Sequence, residues 1–455
     1  MSNAAVPGSA STADRRNRSF VDPLLGVFAD VRAGEGPTAL LLMLNIFLIL
    51  AAYYLLKTIR EPLILTSAGG AEAKSYAAAA IAGLLIILVP VYSALASRVP
   101  RVRLINGVTL FFIACLVAFF VIHSIGYDVG VAFFIWVGIF NLMIIAQLWA
   151  FANDVYTVDQ GKRLFAIVGV GASLGAIAGS FFTGKLVARF GPYPFMIGAA
   201  VLLVLCMVLT NVIDRRERSE AAGGEGVTEG DLKAGEPVKG RSGFALVFSN
   251  RYLLLIAFLM LVYNLVNTTG EYILGKTVIS LYAAQHPGMA GGMDEKKVIG
   301  EFYGNYFTWV NIISALIQAF LVSRILKYLG VRVALLILPI VAFGGYLTMA
   351  FVPLLALIRG VKITENSLDY SVQSTTKNAL YLPTSREAKY KAKQANDTFF
   401  VRFGDVVSAG LVFAGTTWLH FAPRQFALAN VVLILIWIVL AIAIGRHFQQ
   451  MSKAT

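Results

Sequence analysis

The sequence predicts an all-α polytopic membrane protein, with twelve transmembrane helices in two pseudo-symmetric six-helix bundles. Three observations support this prediction. Only 14% of the 455 residues are charged and 58% are hydrophobic, whereas soluble domains carry about 25% charged residues. Several apolar runs reach about 20 residues, the length at which a helix crosses about 30 Å of hydrocarbon. The runs are continuous and lack the alternation of barrel strands, so only helices can satisfy their backbone in lipid.

The apolar runs define the expected spans in chain order. The first six are expected at 38–58, 75–97, 103–124, 128–152, 163–188 and 193–213. The second six are expected at 250–275, 301–327, 331–357, 361–382, 394–419 and 425–446. The bundles then occupy 38–213 and 250–446, between an N-terminal tail, 1–37, a linker, 214–249, and a C-terminal tail, 447–455. The linker is rich in glycine and charge, which is typical of a flexible connection.

The basic residues follow the positive-inside rule with this assignment. The formal net charge is +13, and most lysines and arginines fall on the side of the linker and of both termini. This explains the positive charge without nucleic acid binding, and it predicts that both termini are cytoplasmic. Residues 1–13 lack an apolar core, so we expect no cleaved signal peptide.

The cysteines and histidines indicate neither a metal site nor an enzyme. Cys115 and Cys206 lie within apolar runs and are expected to be small buried hydrophobic residues. The histidines stand near span ends without metal-ligand spacing: His123, His286, His420 and His447. No nucleophile–base set appears. We therefore expect no metal, no cofactor and no catalytic residues.

Span 5 carries glycines at every fourth position: Gly171, Gly175 and Gly179. This is not the G-x-G-x-x-G spacing of a nucleotide loop, and no strand precedes it. Small residues on one face allow two helices to approach closely in a membrane. The pattern predicts a packing surface.

The two halves share a sequence repeat. Residues 53–61, YYLLKTIRE, lie over residues 263–271, YNLVNTTGE, at an offset of 210 residues (271 − 61), and Tyr, Leu, Thr and Glu coincide. Each copy lies in the first span of its half. Two such halves with a long cytoplasmic connection form the layout of major-facilitator carriers, whose substrate site lies between the halves. The chain is therefore expected to be a solute carrier.

Ionised side chains inside spans cost at least about 2.5–3.5 kcal/mol on insertion scales, so they usually face a cavity or a partner. Span 1 ends with Lys57, Arg60 and Glu61 on one helical face. One interpretation is snorkelling with interfacial pairing. The other is a cationic clamp for an anion, which is favoured because Glu271 recurs at the equivalent place in span 7.

Spans 4 and 11 leave similar alternatives open. Asn153 and Asp154 end span 4, where Asp154 either caps the next segment, pairs with Arg163 or faces a cavity. In span 11, Asp397 and Arg402 either serve the site or form structural pairs with each other and with Asp405.

Span 10 is too polar to face lipid. Its polar residues are Asn366, Asp369, Gln373, Ser374, Thr375, Thr376, Lys377 and Asn378. The favoured explanation is a helix that lines a water-filled cavity and directs Lys377 to its centre. The alternative is an amphipathic segment outside the membrane, which would reverse the orientation of the last two spans.

Two stretches carry a family resemblance. Residues 150–165, AFANDVYTVDQGKRLF, and the following GVGASLGAIAG run resemble the ATP/ADP translocase family of intracellular bacteria and plastids, which is major-facilitator-like in architecture. Residues 375–383, TTKNALYLP, and the stretch 389–402 also resemble it. The resemblance extends from span 1 to span 12.

The resemblance implies a transport quartet of basic, acidic, acidic and basic residues in spans 1, 4, 7 and 10. Here the quartet falls on Arg60, Asp154, Glu271 and Lys377. Charge sign matches throughout, although Arg60 stands where Lys is usual and Asp154 where Glu is usual. In the empty site the two carboxylates would hold the two cations.

These observations predict a nucleotide site built from three groups of residues. The substrate-binding residues are Lys57, Arg60, Lys377 and Arg402. The charge-pairing or gating residues are Glu61, Asp154, Glu271 and Asp397. The cavity-lining residues are Asn153, Gln373, Asn378 and Tyr381.

The expected function is exchange of ATP against ADP by alternating access. The alternatives are a carrier for another organic anion or phosphorylated metabolite, driven by protons in one version, and a membrane receptor that kept the fold without transport. We expect the lipid bilayer and a small anion, ATP and ADP in the first place, as partners, and no nucleic acid. The expected location is a bacterial inner membrane. The sequence leaves the oligomeric state open, and a monomer is compatible with the layout.

Overall fold

The computed structural model describes residues 31–32, 35–96, 98–156, 158–221, 242–288, 291–385 and 387–454. Most of the predicted N-terminal tail and residues 222–241 of the predicted linker lie outside the described residues. The described part of the chain is helical, with short turns between successive helices.

The first helices are α1 Gly36–Leu65, α2 Gly70–Ala96, α3 Arg101–Ser124, α4 Gly130–Val155, α5 Val158–Phe190 and α6 Pro194–Ala221. A short helix, Gly243–Ser249, precedes α7 Arg251–Gln285 and α8 Met293–Phe320. Helix α9, Val322–Phe351, contains a π-helical turn at Ile325–Leu329. Helix α10 covers 355–379, with a π-helical turn at Asp369–Gln373, α11 covers 388–418, and α12 is Pro423–Ala454.

Ten helices of the described chain are long and apolar enough to cross a membrane. They are α1–α7, α9, α11 and α12. Helix α8 opens with charged residues and α10 is polar along its length, so neither is apolar enough by itself. The all-helical, multi-pass prediction is confirmed, while the twelve-span count and the two six-helix halves stay predictions.

Several helices extend beyond the apolar runs because backbone hydrogen bonds continue past the hydrocarbon region. Helix α6 continues to Ala221 and α12 to Ala454. Helix α2 begins at Gly70 rather than at 75, and α10 begins at Leu355 rather than at 361. The earlier start of α2 brings Lys74 into the helix, and the earlier start of α10 moves Lys362 from the end of the expected span into the helix interior.

The glycines of α5 form the predicted packing surface. A side chain added at Gly171, Gly175 or Gly179 would collide with backbone carbonyl groups of α1. Helices α1 and α5 therefore pack backbone to backbone, as small residues at a membrane helix interface allow.

The two predicted bundles meet near the end of the molecule that carries the turn between α1 and α2. We call this the α1–α2 end, and the opposite end, which carries residues 221 and 242, the linker end. Gly184 of α5 faces Gly304 of α8. A Cβ atom added at Gly184 would lie 3.0 Å from the backbone of Gly304. Tyr76 of α2 packs edge-on against Phe413 of α11, with ring centroids 6.4 Å apart. The helices are thus closely packed at this end.

Candidate functional site

A cavity of about 200 Å³ lies among α1, α2, α4, α7 and α11. Its walls therefore come from both predicted bundles. The charged residues of its lining are Lys57, Arg60, Lys74, Glu271, Arg402 and Asp405. Cations outnumber carboxylates in this lining, and a concave site lined by one sign of charge attracts the opposite sign.

Lys57 is buried among aromatic rings rather than beside a carboxylate. Its Nζ donates a hydrogen bond to the Tyr370 hydroxyl at 3.0 Å. The ring centroids of Phe307, Tyr54, Tyr370 and Tyr53 lie 4.5, 5.0, 5.3 and 5.9 Å from Nζ. Such cation–π contacts stabilise a desolvated ammonium by about 2 kcal/mol. No carboxylate of the described chain forms an ion pair with Lys57, and its direct contacts are the Tyr370 hydroxyl and the four rings.

The other cations on the α1–α2 side of the cavity belong to a chain of alternating charges. Arg60 Nε lies 3.1 Å from Glu61 Oε1, and Glu61 Oε2 lies 2.6 Å from Lys74 Nζ. The Lys74 ammonium also lies 3.5 Å from Glu271 Oε2. Glu271 Oε1 lies 3.7 Å from Lys362 Nζ. Opposite charges alternate along this chain, which is what buried ions require, and the chain connects α1, α2, α7 and α10.

The Glu271 carboxylate is also held by neutral donors. Asn366 Nδ2 donates to its Oε1 at 3.1 Å and the Tyr306 hydroxyl at 3.4 Å. Behind it, Lys362 is fully buried and pairs with Glu365 at 2.9 Å. Glu271 is therefore held by two ammonium groups, one amide and one hydroxyl.

Arg402 forms the structural pair that its spacing allowed. Its Nη1 lies 3.1 Å from Asp405 Oδ2. The other oxygen, Asp405 Oδ1, accepts hydrogen bonds from Asn264 at 2.7 Å and Thr268 at 2.9 Å. Because Asp405 is held on both oxygens, its carboxylate anchors the Arg402 guanidinium in the cavity wall.

The structure brings part of the predicted site together. Lys57, Arg60, Glu271 and Arg402 line the same cavity, and Glu61 lies directly behind Arg60. These residues come from α1, α7 and α11, which are distant in sequence.

Lys377 does not line this cavity. Its Nζ lies 3.7 Å from Asp369 Oδ1 and 4.4 Å from the Tyr263 ring centroid. The Tyr263 hydroxyl donates to Asp369 Oδ2 at 2.6 Å. Lys377 thus pairs within α10 with Asp369, the first residue of the π-helical turn Asp369–Gln373.

Asp154 pairs with neither Arg163 nor Arg60, contrary to expectation. It is half-exposed at the end of α4, and its Oδ2 lies 3.0 Å from Arg101 Nη1. Arg163 instead binds Glu35 through two hydrogen bonds of 2.9 and 2.8 Å. Helix α3 begins at Arg101, next to the end of α4, and this contact between helices is not visible in the spacing.

The remaining predicted residues also lie outside the cavity lining. Asp397 pairs with Lys393 at 3.5 Å, four residues earlier in the same helix. Asn153 is exposed, and Asn378 donates to a backbone carbonyl of its own helix. Gln373 is fully buried, and the buried Tyr381 hydroxyl accepts from Asn396 at 2.8 Å.

Sequence reasoning missed Lys74, Lys362 and the rings around Lys57. Both lysines were expected at or beyond a span end, where a charge is unremarkable. The opposite charges of Lys362 and Glu365, three residues apart, were the available signal for a buried pair. The rings come from three helices, so no local pattern reveals them.

The sequence profile of the Major Facilitator Superfamily matches residues 38–363. The chain is 25% identical over 354 residues to ADP,ATP carrier protein 1 of Chlamydia pneumoniae, covering 69% of this chain and 66% of that carrier. It is 23% identical over 354 residues to ADP,ATP carrier protein 1 of Chlamydia trachomatis, covering 69% and 64%. The match therefore spans just under two thirds of the length of these relatives.

Solved transporter structures share the fold at low sequence identity. The nucleoside transporter NupG superposes with a TM-score of 0.59 at 12% identity, covering 91% of this chain and 99% of that one. A peptide transporter of the POT family in complex with sulfate gives 0.59 at 14% identity, covering 94% and 99%. A bacterial homologue of the human lysosomal transporter Spinster, in an inward-facing and unoccupied conformation, gives 0.58 at 12% identity, covering 91% and 98%. The profile match and the helical bundle agree: this chain is a multi-pass membrane transporter that belongs to the Major Facilitator Superfamily.

Proposed function

We propose that this transporter exchanges nucleotides, ATP against ADP, by alternating access between two six-helix halves. The observation that carries the proposal is the cavity between helices of both predicted bundles, lined by Lys57, Arg60, Lys74 and Arg402. A polyphosphate cannot enter hydrocarbon, and these cations would replace its water. The similarity to carriers named for ADP and ATP supports nucleotides as the anions.

The cations would act in two ways. Lys57 has no carboxylate partner, so it can bind a phosphate without breaking an ion pair. Arg60 and Arg402 each hold a carboxylate now, and the planar guanidinium can bind phosphate oxygens in a bidentate manner. Lys74 would contact the phosphates as a point charge.

Exchange follows from the charge of the empty site. Without substrate, the buried Lys57 ammonium forms no ion pair with a carboxylate of the described chain, and a buried charge that is incompletely compensated is costly. An empty carrier that changes from one open conformation to the other would meet this cost in every intermediate that keeps the site closed to water. A bound phosphate removes the cost, so loaded transitions are faster than empty ones.

Alternating access would separate helices that are packed here. Contacts such as Gly184 with Gly304, and Tyr76 with Phe413, close the α1–α2 end. With both termini in the cytoplasm of a bacterium, as the basic residues indicate, this end faces away from the cytoplasm. The proposal places the twelve spans within 38–213 and 250–446 in the inner membrane, with one chain as the transport unit.

The size of the cavity favours a second candidate, a carrier for a smaller phosphorylated metabolite. About 200 Å³ is below the range of about 300–1,000 Å³ that is usual for ligand pockets. A small organic phosphate would fit the described cavity as it stands, whereas a nucleotide would extend beyond it.

Uptake into proteoliposomes tests both candidates. Vesicles with the purified protein are loaded with ADP, with a small sugar phosphate or with buffer, and uptake of labelled ATP and of labelled sugar phosphate is measured. Nucleotide exchange predicts that internal ADP stimulates ATP uptake. No stimulation by ADP would overturn it, and stimulation of sugar phosphate uptake by internal sugar phosphate would favour the second candidate.

A further inference from the structure

We infer that Asn141 of α4 determines specificity by hydrogen bonding to the uncharged part of the substrate, the base of a nucleotide, beside the ring of Tyr53. The inference rests on the proposed nucleotide exchange and assigns an orientation to the bound nucleotide. Its first support is the hydrogen bonding of the uncharged polar side chains in the lining, which are Ser75, Asn141, Thr268 and the tyrosines Tyr53 and Tyr272.

Most of these groups already have partners. Ser75 donates to the carbonyl of Ala71 at 3.4 Å, and Thr268 donates to Asp405 at 2.9 Å. The Tyr272 hydroxyl donates to Glu72 at 3.0 Å. The Asn141 amide and the Tyr53 hydroxyl have no hydrogen-bond partner in the described chain. They are therefore the neutral polar groups of the lining that are free to bind a ligand.

The second support is the position of Asn141 along α4. Phe134 lies on the same helix, and the Arg60 guanidinium sits 4.6 Å from its ring centroid. Asn141 follows seven residues later, which places it on the same face and about 10 Å further along the axis. Because α4 begins at the α1–α2 end, Asn141 lies on the linker side of the Arg60 level.

Helix α1 runs antiparallel to α4 and places Tyr53 at the same level as Asn141. Tyr53 precedes Arg60 by seven residues, so it also lies about 10 Å from Arg60 toward the linker end. Helices α1 and α4 pack against each other, and Gly130 at the start of α4 contacts the backbone of Leu63. Tyr53 and Asn141 therefore stand on neighbouring helices at one level of the cavity.

The cavity then has two chemically different levels. Arg60, Lys74 and Glu271 form the level near the α1–α2 end, and Tyr53 and Asn141 form the other, with Lys57 between them. Arg402 lies on the linker side of Glu271, where its charge is paired with Asp405 on α11. The phosphates belong with the cations. Since a nucleotide is longer than the part of the cavity that these cations line, its base extends toward Tyr53 and Asn141. An aromatic ring stacks on a base, and an amide offers a donor and an acceptor to its edge.

The amide predicts which base is preferred. Adenine presents a donor, N6, beside an acceptor, N7, and an asparagine amide binds both at once. Guanine presents two acceptors, O6 and N7, at the same edge, so one amide hydrogen bond is lost. The wild-type protein should therefore bind ATP in preference to GTP.

Competition experiments test the assignment. ADP-loaded proteoliposomes take up labelled ATP in the presence of unlabelled ATP, GTP or inorganic tripolyphosphate, and inhibition constants are compared between wild type and Asn141→Leu. We expect Asn141→Leu to reduce the preference for ATP over GTP about tenfold. The inhibition constant of tripolyphosphate, which has no base, should change less than about twofold, because the cation level is intact.

Asn106→Leu is the matched control, because Asn106 pairs with Asn211 away from the cavity. It should leave the ratio of ATP to GTP unchanged. If Asn141→Leu does not fold, Asn141→Asp keeps the size and removes the amide donor, and it should also change the ratio. Exchange that continues with an unaltered ratio in a folded Asn141 variant, or a wild type that does not distinguish ATP from GTP, overturns the inference alone. A wild type that does not take up ATP in exchange for internal ADP contradicts the proposed function instead.

Discussion

Glu61 and Glu271 bind the same ammonium group, that of Lys74, from opposite predicted bundles. The distances to Lys74 Nζ are 2.6 and 3.5 Å. The two glutamates also occupy equivalent positions of the sequence repeat, 210 residues apart (271 − 61). Lys74, which lies outside the repeat, thus joins the two glutamates. Each glutamate also contacts a second cation: Glu61 contacts Arg60, and Glu271 contacts Lys362.

Lys74→Gln should lower stability strongly, because two largely buried carboxylates would lose a shared cation. We expect a loss of about 3 kcal/mol in the free energy of unfolding. Thermal unfolding in detergent measures it. Lys276→Gln is the control, since Lys276 pairs with Glu72 at 2.6 Å but is more than a third exposed, and exposed pairs contribute about 0–1 kcal/mol. Equal losses for the two variants would contradict the buried role of Lys74.

Lys57→Gln should impair substrate binding more than folding. The substitution removes a charge that forms no ion pair, so no carboxylate is left unpaired, and the Gln amide can still donate to the Tyr370 hydroxyl. We expect the KM for ATP uptake to rise about tenfold, with a small change in melting temperature. Lys57→Arg keeps the charge and should recover part of the affinity. A variant that keeps the wild-type KM would show that Lys57 does not contact the substrate.

Lys377→Gln should impair folding more than substrate binding. Lys377 pairs with Asp369 outside the cavity, so its loss leaves a buried carboxylate with only the Tyr263 hydroxyl. We expect a lower melting temperature and a KM for ATP that changes less than that of Lys57→Gln. A large rise in KM with normal stability would instead support the substrate-binding role that the family resemblance implies.

Gly184→Leu should prevent close packing of α5 on α8. The side chain would meet the backbone of Gly304, which cannot move away as a flexible side chain can. Overpacking of this kind costs about 1–3 kcal/mol, and it should favour conformations that are open at the α1–α2 end. Labelling of a cysteine introduced at Ser67 reports the opening. Gly344→Leu is the control, because nothing lies within 4 Å of a side chain at that position.

Glu35→Gln should lower stability at neutral pH and have less effect in acid. Burial alone would raise the pKa of Glu35, but the hydrogen bonds and charge of Arg163 and the backbone of Arg32 bring it below 4.5. A carboxyl with a lowered pKa stabilises the folded state above its unfolded pKa, and the contribution is lost as pH falls through the folded value. Unfolding of wild type and variant should differ at pH 7 and converge below about pH 4. A constant difference across this range would contradict the ion pair.

The sequence predicted the membrane class and much of the cavity because both depend on composition within single helices. Lys57 and Glu271 could be found since each is a charge within a predicted span, and Arg60 because it lies on the same helical face as Lys57, three residues later. Lys74 could not, because it lies one residue outside the predicted span, and helix ends are not marked by hydropathy. The partner of Asp154 could not be predicted either, because Arg101 approaches it only after α3 and α4 have packed.

The rings around Lys57 also make the affinity of the site depend on conformation. Tyr53 and Tyr54 belong to the same helix as Lys57, but Phe307 and Tyr370 belong to α8 and α10. Movement of α1 away from these helices would admit water to the ammonium, and a hydrated ammonium attracts phosphate less strongly than a dry one. The same movement that opens a path to the solution would then release the substrate into it.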